Sequence, residues 1–177
     1  MARFDPVKNH AGFFEAAQTI HEAMPDVRFV LAGTYITSKN QTLMAMIDKA
    51  GLQQKTYLLG EQNDIASIMN GIDVLISSAH AEAFPNVLGE AMACGTPCVA
   101  TDVGDCKTII GDTGGVVDAG DMKALARETI AILSLSTKEK EIFSIAAHKH
   151  IYSHYEIGKT ASDFKAFFMQ VHENRIF

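Results

Sequence analysis

The sequence predicts an α/β protein, a parallel sheet with helices on both faces. Short, β-branched apolar runs bounded by Gly or Ser recur along the chain, as buried parallel strands do. Stretches with helical spacing separate those runs, and this alternation is the mark of crossover-connected parallel strands. No internal repeat or low-complexity tract interrupts the alternation. The 177 residues suffice for one domain with a sizeable core, expected to span 1–177.

Met1-Ala2-Arg3-Phe4 reads as the end of a strand, and Asp5 to His10 as a turn with capping residues. From His10 to Met24 the periodicity is helical, with Phe13, Phe14, Ala17, Ile20 and Ala23 on one side. Val27 to Ala32 is the next buried strand, closed by Gly33-Thr34. Gly33 serves either a tight turn or the close approach of backbone to a ligand. Residues 39–50 form a helix with Leu43, Met44 and Ile47 inward. Thr56 to Leu59 is a short strand before Gly60, and Asp64 caps a short helix from Ile65 to Met69.

Ile72 to Ser77 and Pro97 to Thr101 are two further strands. Between them lie a loop from Ser78 to Pro85 and a helix from Asn86 to Cys94, with Asn86 as its cap and Gly95 as its stop. Val116-Val117 makes a small strand after the Gly111 to Gly115 turn. Asp121 caps a helix from Met122 to Leu133, and further helices cover about 137–152 and 158–172. The last carries Phe164, Phe167, Phe168 and Val171, a core or docking face.

The formal net charge of -6 argues against a general nucleic-acid binder. No apolar stretch is long enough to span a bilayer, and the expected location is cytoplasmic, with the inner membrane surface reached through some other part. Cys94, Cys98 and Cys106 match no zinc spacing and read as reduced, mostly buried thiols. No metal-ligand cluster and no cofactor are expected.

The stretch from Ala79 to Asp105 organises the rest. A strand, loop and helix in succession place a helix N-terminus at the carboxyl end of a strand, where open α/β sheets bind ligands. Its free amides suit a phosphate. Glu82 and Glu90 flank it; carboxylates repel phosphate but accept hydrogen bonds from sugar hydroxyls. A ligand carrying both phosphate and sugar fits the pair, although acids at a helix start are also ordinary surface residues.

Glu82-Ala-Phe-Pro-Asn-Val-Leu-Gly-Glu90, followed by Ala-Met-Ala-Cys-Gly-Thr-Pro-Cys-Val-Ala-Thr-Asp-Val-Gly, resembles the E-x7-E region of retaining glycosyltransferases with the GT-B fold, group 1 or family 4. Ala2-Arg-Phe-Asp-Pro-Val-Lys-Asn9 is similar to that family's phosphate-binding turn. The likeness runs from Ala2 to about His172 and implies the Rossmann-like C-terminal half of a GT-B enzyme. An N-terminal acceptor-binding domain would lie outside this chain, which is then a piece of a longer protein or a natural orphan half. The segment 156–177 would pack on that other domain.

The resemblance implies these roles. Arg3 and Lys8 hold the diphosphate of a nucleotide-sugar donor and stabilise charge on the leaving group. Glu90 accepts from the ribose, and Glu82 contacts the transferred sugar. Phe84, Pro85 and Asn86 line the sugar pocket; Asn86, Val87 and Leu88 offer main-chain amides. Leu59 and Gly60 flank the base, and Gly33 is a further donor-site candidate. Arg3 and Lys8 by themselves would be ordinary solvated cations. The donor is a UDP-, GDP- or ADP-sugar, acting as substrate, and the acceptor is a hydroxyl in polysaccharide, lipopolysaccharide or glycolipid synthesis. A non-catalytic nucleotide-binding module, or a GT-B epimerase or phosphorylase, are the alternatives. A dinucleotide oxidoreductase is disfavoured because no G-x-G-x-x-G follows a strand.

Overall fold

The computed structural model describes residues 1–174. Five short strands run in sequence order: β1 Phe29–Leu31, β2 Thr56–Leu58, β3 Leu75–Ser77, β4 Cys98–Thr101 and β5 Gly115–Val117. Eight α-helices accompany them: α1 His10–Ala23, α2 Gln41–Lys49, α3 Ile65–Asn70, α4 Asn86–Ala93, α5 Cys106–Ile110, α6 Met122–Leu133, α7 Thr137–Tyr155 and α8 Ile157–Asn174. A 3₁₀ turn, Pro6–Lys8, precedes α1.

Every strand pairing is parallel, as the alternation predicts. The strands form two ladders, however, not one: β1 with β2, and β3–β4–β5. Helices cover both faces. Core residues of α1, α2 and α6 cluster with Val99 and Val117 on one side. Those of α3, α4, α5 and α7 cluster with Cys98 and Ala100 on the other. Successive β4 side chains thus enter opposite cores, and all four β4 residues are buried.

The local signals act largely as read. Asp64, Asp121, Asn9, Asn40 and Ser136 each accept from a backbone N–H at a helix start. Gly95 follows the end of α4 at φ +78°, which Gly adopts without a Cβ penalty. Three expectations need correction, and one helix went unread. Asn86 is not the cap of α4; that position is Pro85, which has no side chain to accept a bond, and Asn86 is the first helical residue. The Ile72 to Ser77 strand starts only at Leu75. Ala23 is exposed on α1. Cys106–Ile110 is a helix that no periodicity over five residues could announce.

Cys94, Cys98 and Cys106 are free thiols, and burial raises the pKa of Cys98 and of Cys106 above the ordinary value. Phe164, Phe167, Phe168 and Met169 of α8 are exposed. Among the described residues no helix is long and apolar enough to cross a membrane.

His10, the first residue of α1, is buried with its ring centroid 5.0 Å from that of Phe4. Burial lowers its pKa first, the Met1 ammonium adds to this, Asp5 opposes, and Lys8 lowers it further. The unfolded chain therefore takes up a proton that the folded chain excludes. Stability should rise with pH up to the unfolded histidine value of about 6.5 and fall as the pH drops below it. Urea midpoints from pH 8 to pH 5 should show that slope, and His10→Gln should flatten it.

Candidate functional site

The carboxyl ends of β1, β2, β3 and β4 all open onto one rim, and the connections there carry the candidate residues. The amino-terminal segment threads between the two ladders at this rim. Ala2 and Phe4 donate their N–H groups to the carbonyls of Ala32 and Thr34, just past β1, at 2.9 and 2.8 Å. On the other side, the N–H of His80, just past β3, donates to the Val7 carbonyl at 2.8 Å. The Ser78 hydroxyl reaches the carbonyls of Lys8 and Asn9 at 3.2 and 3.0 Å. Asp5 accepts from the Val7 N–H at 3.0 Å, and that bond, with the Arg3 charge, holds its carboxyl below the usual range.

This threading brings Lys8 to Glu82, 74 positions away, in a direct ion pair between Nζ and Oε1. Their side chains are 27% and 13% exposed, so the pair sits mostly out of water. Arg3 is exposed and turns to Asp5 at 3.1 Å. Glu90 lies exposed on α4, within electrostatic reach of the Met1 amine, as Lys8 is. The structure thus joins Lys8 with Glu82 and leaves Arg3 and Glu90 outside that contact.

Leu88 is fully buried, and its N–H is committed to the Pro85 carbonyl at 3.0 Å. Asn86 and Val87 hold the α4 amides with no main-chain partner among the described residues. Val87 lines the same cavity as Lys8 and Glu82. Phe84 is exposed and packs edge-on against Tyr155, centroids 5.7 Å apart, so the end of α7 reaches the Glu82 loop. Pro85 is buried. Gly33 and Gly60 close the β1–β2 ladder through a 2.7 Å bond, and Leu59 beside them is exposed. A Cβ on Gly33 would stand 2.2 Å from the Ala2 carbonyl oxygen, so the backbone approach here is by the chain itself.

Sequence reading passed over several residues that position this rim. Thr101 is buried and donates to the Ala79 carbonyl at 2.7 Å, fixing where the loop leaves β3. Gly104, at φ +53°, lies where a Cβ would come within 2.2 Å of the Glu82 carbonyl oxygen. The N–H of Asp105 then binds the Ala83 carbonyl at 3.0 Å. A glycine three residues past a strand's end was the available signal for such an approach.

Parallel strands sandwiched by helices, with a basic turn and an acidic loop meeting at the carboxyl rim, define a Rossmann-like domain of the GT-B glycosyltransferase type. The chain belongs to the group 1 glycosyl transferases, whose family model matches residues 1–150. It is 28% identical over 135 residues to the N-acetyl-alpha-D-glucosaminyl L-malate synthase of Bacillus anthracis, covering 73% of this chain and 34% of that protein. It is 30% identical over 141 residues to a D-inositol 3-phosphate glycosyltransferase of Mycobacterium sp. strain KMS, covering 76% of this chain and 31% of that protein. The chain thus spans about a third of the length of these relatives. Among solved structures, Anabaena Alr3699/HepE in complex with UDP and glucose superposes with a TM-score of 0.83 at 21% identity, over 95% of this chain and 46% of that one. The C-terminal domain of the Francisella tularensis group 1 protein LpcC superposes at 0.73 and 23% identity, over 89% and 84%.

The rim makes three stability tests available. Exposed ion pairs contribute about 0–1 kcal/mol, and losing one partner of a fully buried pair costs about 3–5 kcal/mol. The Lys8–Glu82 pair lies between these limits, so Lys8→Ala should destabilise by about 1–2 kcal/mol. A double-mutant cycle with Glu82→Gln should give a clearly non-zero coupling energy. Gly104→Ala should cost at least about 2 kcal/mol, from the left-handed backbone and from backbone atoms that cannot step aside. Denaturant unfolding measures all three.

Proposed function

We propose that this chain is the donor-binding domain of a retaining, family 4 glycosyltransferase and that its rim takes a nucleotide-sugar. The supporting observation is the contact between Lys8 and Glu82, a cation and an acid brought from distant positions to the carboxyl rim beside the start of α4. HepE, which shares the fold, is known in complex with UDP and glucose.

In this reading the donor's diphosphate takes Lys8 away from Glu82. Phosphate offers the ammonium more charge than one carboxylate does, and the N–H groups of Asn86 and Val87 add to the same anion site. Arg3 leaves Asp5 to join them, and the two cations stabilise the charge that grows on the leaving diphosphate. Glu82, released from its partner, accepts from hydroxyls of the transferred sugar and positions it. Phe84, Pro85 and Asn86 line that pocket. Glu90 accepts from the ribose, while Leu59, Gly60 and Gly33 flank the base.

The domain alone is inactive in this reading. An acceptor-binding domain outside this chain supplies the hydroxyl of a growing polysaccharide, lipopolysaccharide or glycolipid, in the cytoplasm or at the inner membrane face. The 1–177 unit and its final helix dock against that domain.

Calorimetry with UDP, GDP and ADP, and with their sugar conjugates, tests the donor site. One nucleoside diphosphate should bind, and Lys8→Ala should weaken it at least tenfold, or about 1.4 kcal/mol. Glu82→Gln should keep nucleoside diphosphate binding and lose the further affinity contributed by the sugar. Absence of binding by all three nucleotides would overturn the reading.

A further inference from the structure

The loop that carries Glu82 is fixed at both ends and lightly held between them. At its start the Ala79 carbonyl accepts from Thr101, and the His80 N–H donates to Val7. At its end Pro85 is buried, and its carbonyl accepts from Leu88. From Ala81 to Phe84 no N–H has a main-chain partner among the described residues. One main-chain bond crosses this stretch, from the Asp105 N–H to the Ala83 carbonyl at 3.0 Å. Two side chains also tie it down: Glu82 through its ion pair with Lys8, and Phe84 through its ring contact with Tyr155.

Tyr155 is itself well anchored. It is the last residue of α7 and packs, partly buried, against the core that contains Cys106 and Ile109. Its hydroxyl reaches the Thr108 carbonyl of α5 at 3.4 Å. Burial raises its pKa, and the nearby charge of Asp105, at the start of α5, adds to this. α5 thus holds the loop twice, directly through the Asp105 N–H and again through Tyr155. The two rings meet edge-on at 60° with centroids 5.7 Å apart, a separation at which aromatic pairs attract. Phe84 remains 47% exposed, so much of its ring has no other cover.

We infer that Tyr155 is a positioning residue for Glu82: acting through Phe84, it holds the acid where the transferred sugar arrives. This inference rests on the donor-site reading above. In that reading the diphosphate draws Lys8 away, and the ion pair no longer fixes the loop. The contact between Phe84 and Tyr155 is then the side-chain anchor that remains, and a diphosphate does not compete for it. An acid already held in place loses less freedom when a ligand binds, so the contribution of Tyr155 belongs to the sugar and not to the nucleotide.

Calorimetry with the nucleoside diphosphate that binds, and with its sugar conjugate, separates the two contributions. Tyr155→Leu and Tyr155→Met remove the ring and keep apolar bulk against the core. Each should leave nucleoside diphosphate affinity within about twofold and reduce the affinity added by the sugar about three- to tenfold. Tyr155→Phe keeps the ring contact without the hydroxyl and should restore the original value. A sugar contribution unchanged in the ring-less variants would overturn the inference, as would a Tyr155→Phe variant impaired as much as Tyr155→Leu. Equal loss of nucleotide and nucleotide-sugar affinity would also overturn it, because Tyr155 would then serve the fold as a whole. Loss of the thermal unfolding transition in both ring-less variants would count the same way. So would an unaltered chain that binds the nucleotide and gains nothing from the sugar. Failure of the unaltered chain to bind any nucleoside diphosphate is a separate result, which sinks the donor-site reading and this inference with it.

Discussion

Segment 1–9 is held from both sides by main-chain bonds, and the rim depends on that double hold. Ala2 and Phe4 bind the chain past β1, and Val7 binds the chain past β3. Neither ladder hydrogen-bonds to the other as a strand pair, so these bonds and the Ser78 hydroxyl set how the two carboxyl ends stand at the site. Lys8 meets Glu82 because its backbone is pinned at Val7 and Asn9, not because two long side chains happen to find each other. Pre-set backbone lowers the entropy lost in holding the pair, which is what makes most surface pairs weak.

The glycines at the rim serve that hold. Gly33 lets the Ala2 carbonyl pass within a distance no side chain would tolerate, and Gly104 does the same for the Glu82 carbonyl. The acid of the pair is therefore carried by backbone pressed against a glycine, and the start of the segment that carries the cation is pressed against another. Thr101, buried in β4 and bound to Ala79, ties the acidic loop to the central strand of the larger ladder. The rim is organised by main-chain contacts, with the charged side chains as its outer layer.

The group 1 membership and the GT-B architecture agree with what the family resemblance of the E-x7-E region and the Arg3 to Lys8 turn implies. The strand order could not be read the same way. β-Branched runs announce strands, but a run does not say which other run lies beside it, so the division into two ladders was invisible. The Asn86 cap failed for a local reason: Pro85 has a fixed φ and takes the cap position, and Asn86, one residue on, enters the helix. Cys106–Ile110 is too short for its periodicity to stand out.

Sequence alone determined the parallel α/β class and most helix limits. Each of these rests on signals spaced within a few residues: apolar periodicity and caps such as Asp64 and Asp121. Tertiary structure alone decided that Lys8 contacts Glu82 while Arg3 turns to Asp5, and that Gly33 and Gly104 admit the chain's own backbone. Those outcomes depend on contacts between residues tens of positions apart, whose geometry is set by packing and not by any local preference of the chain.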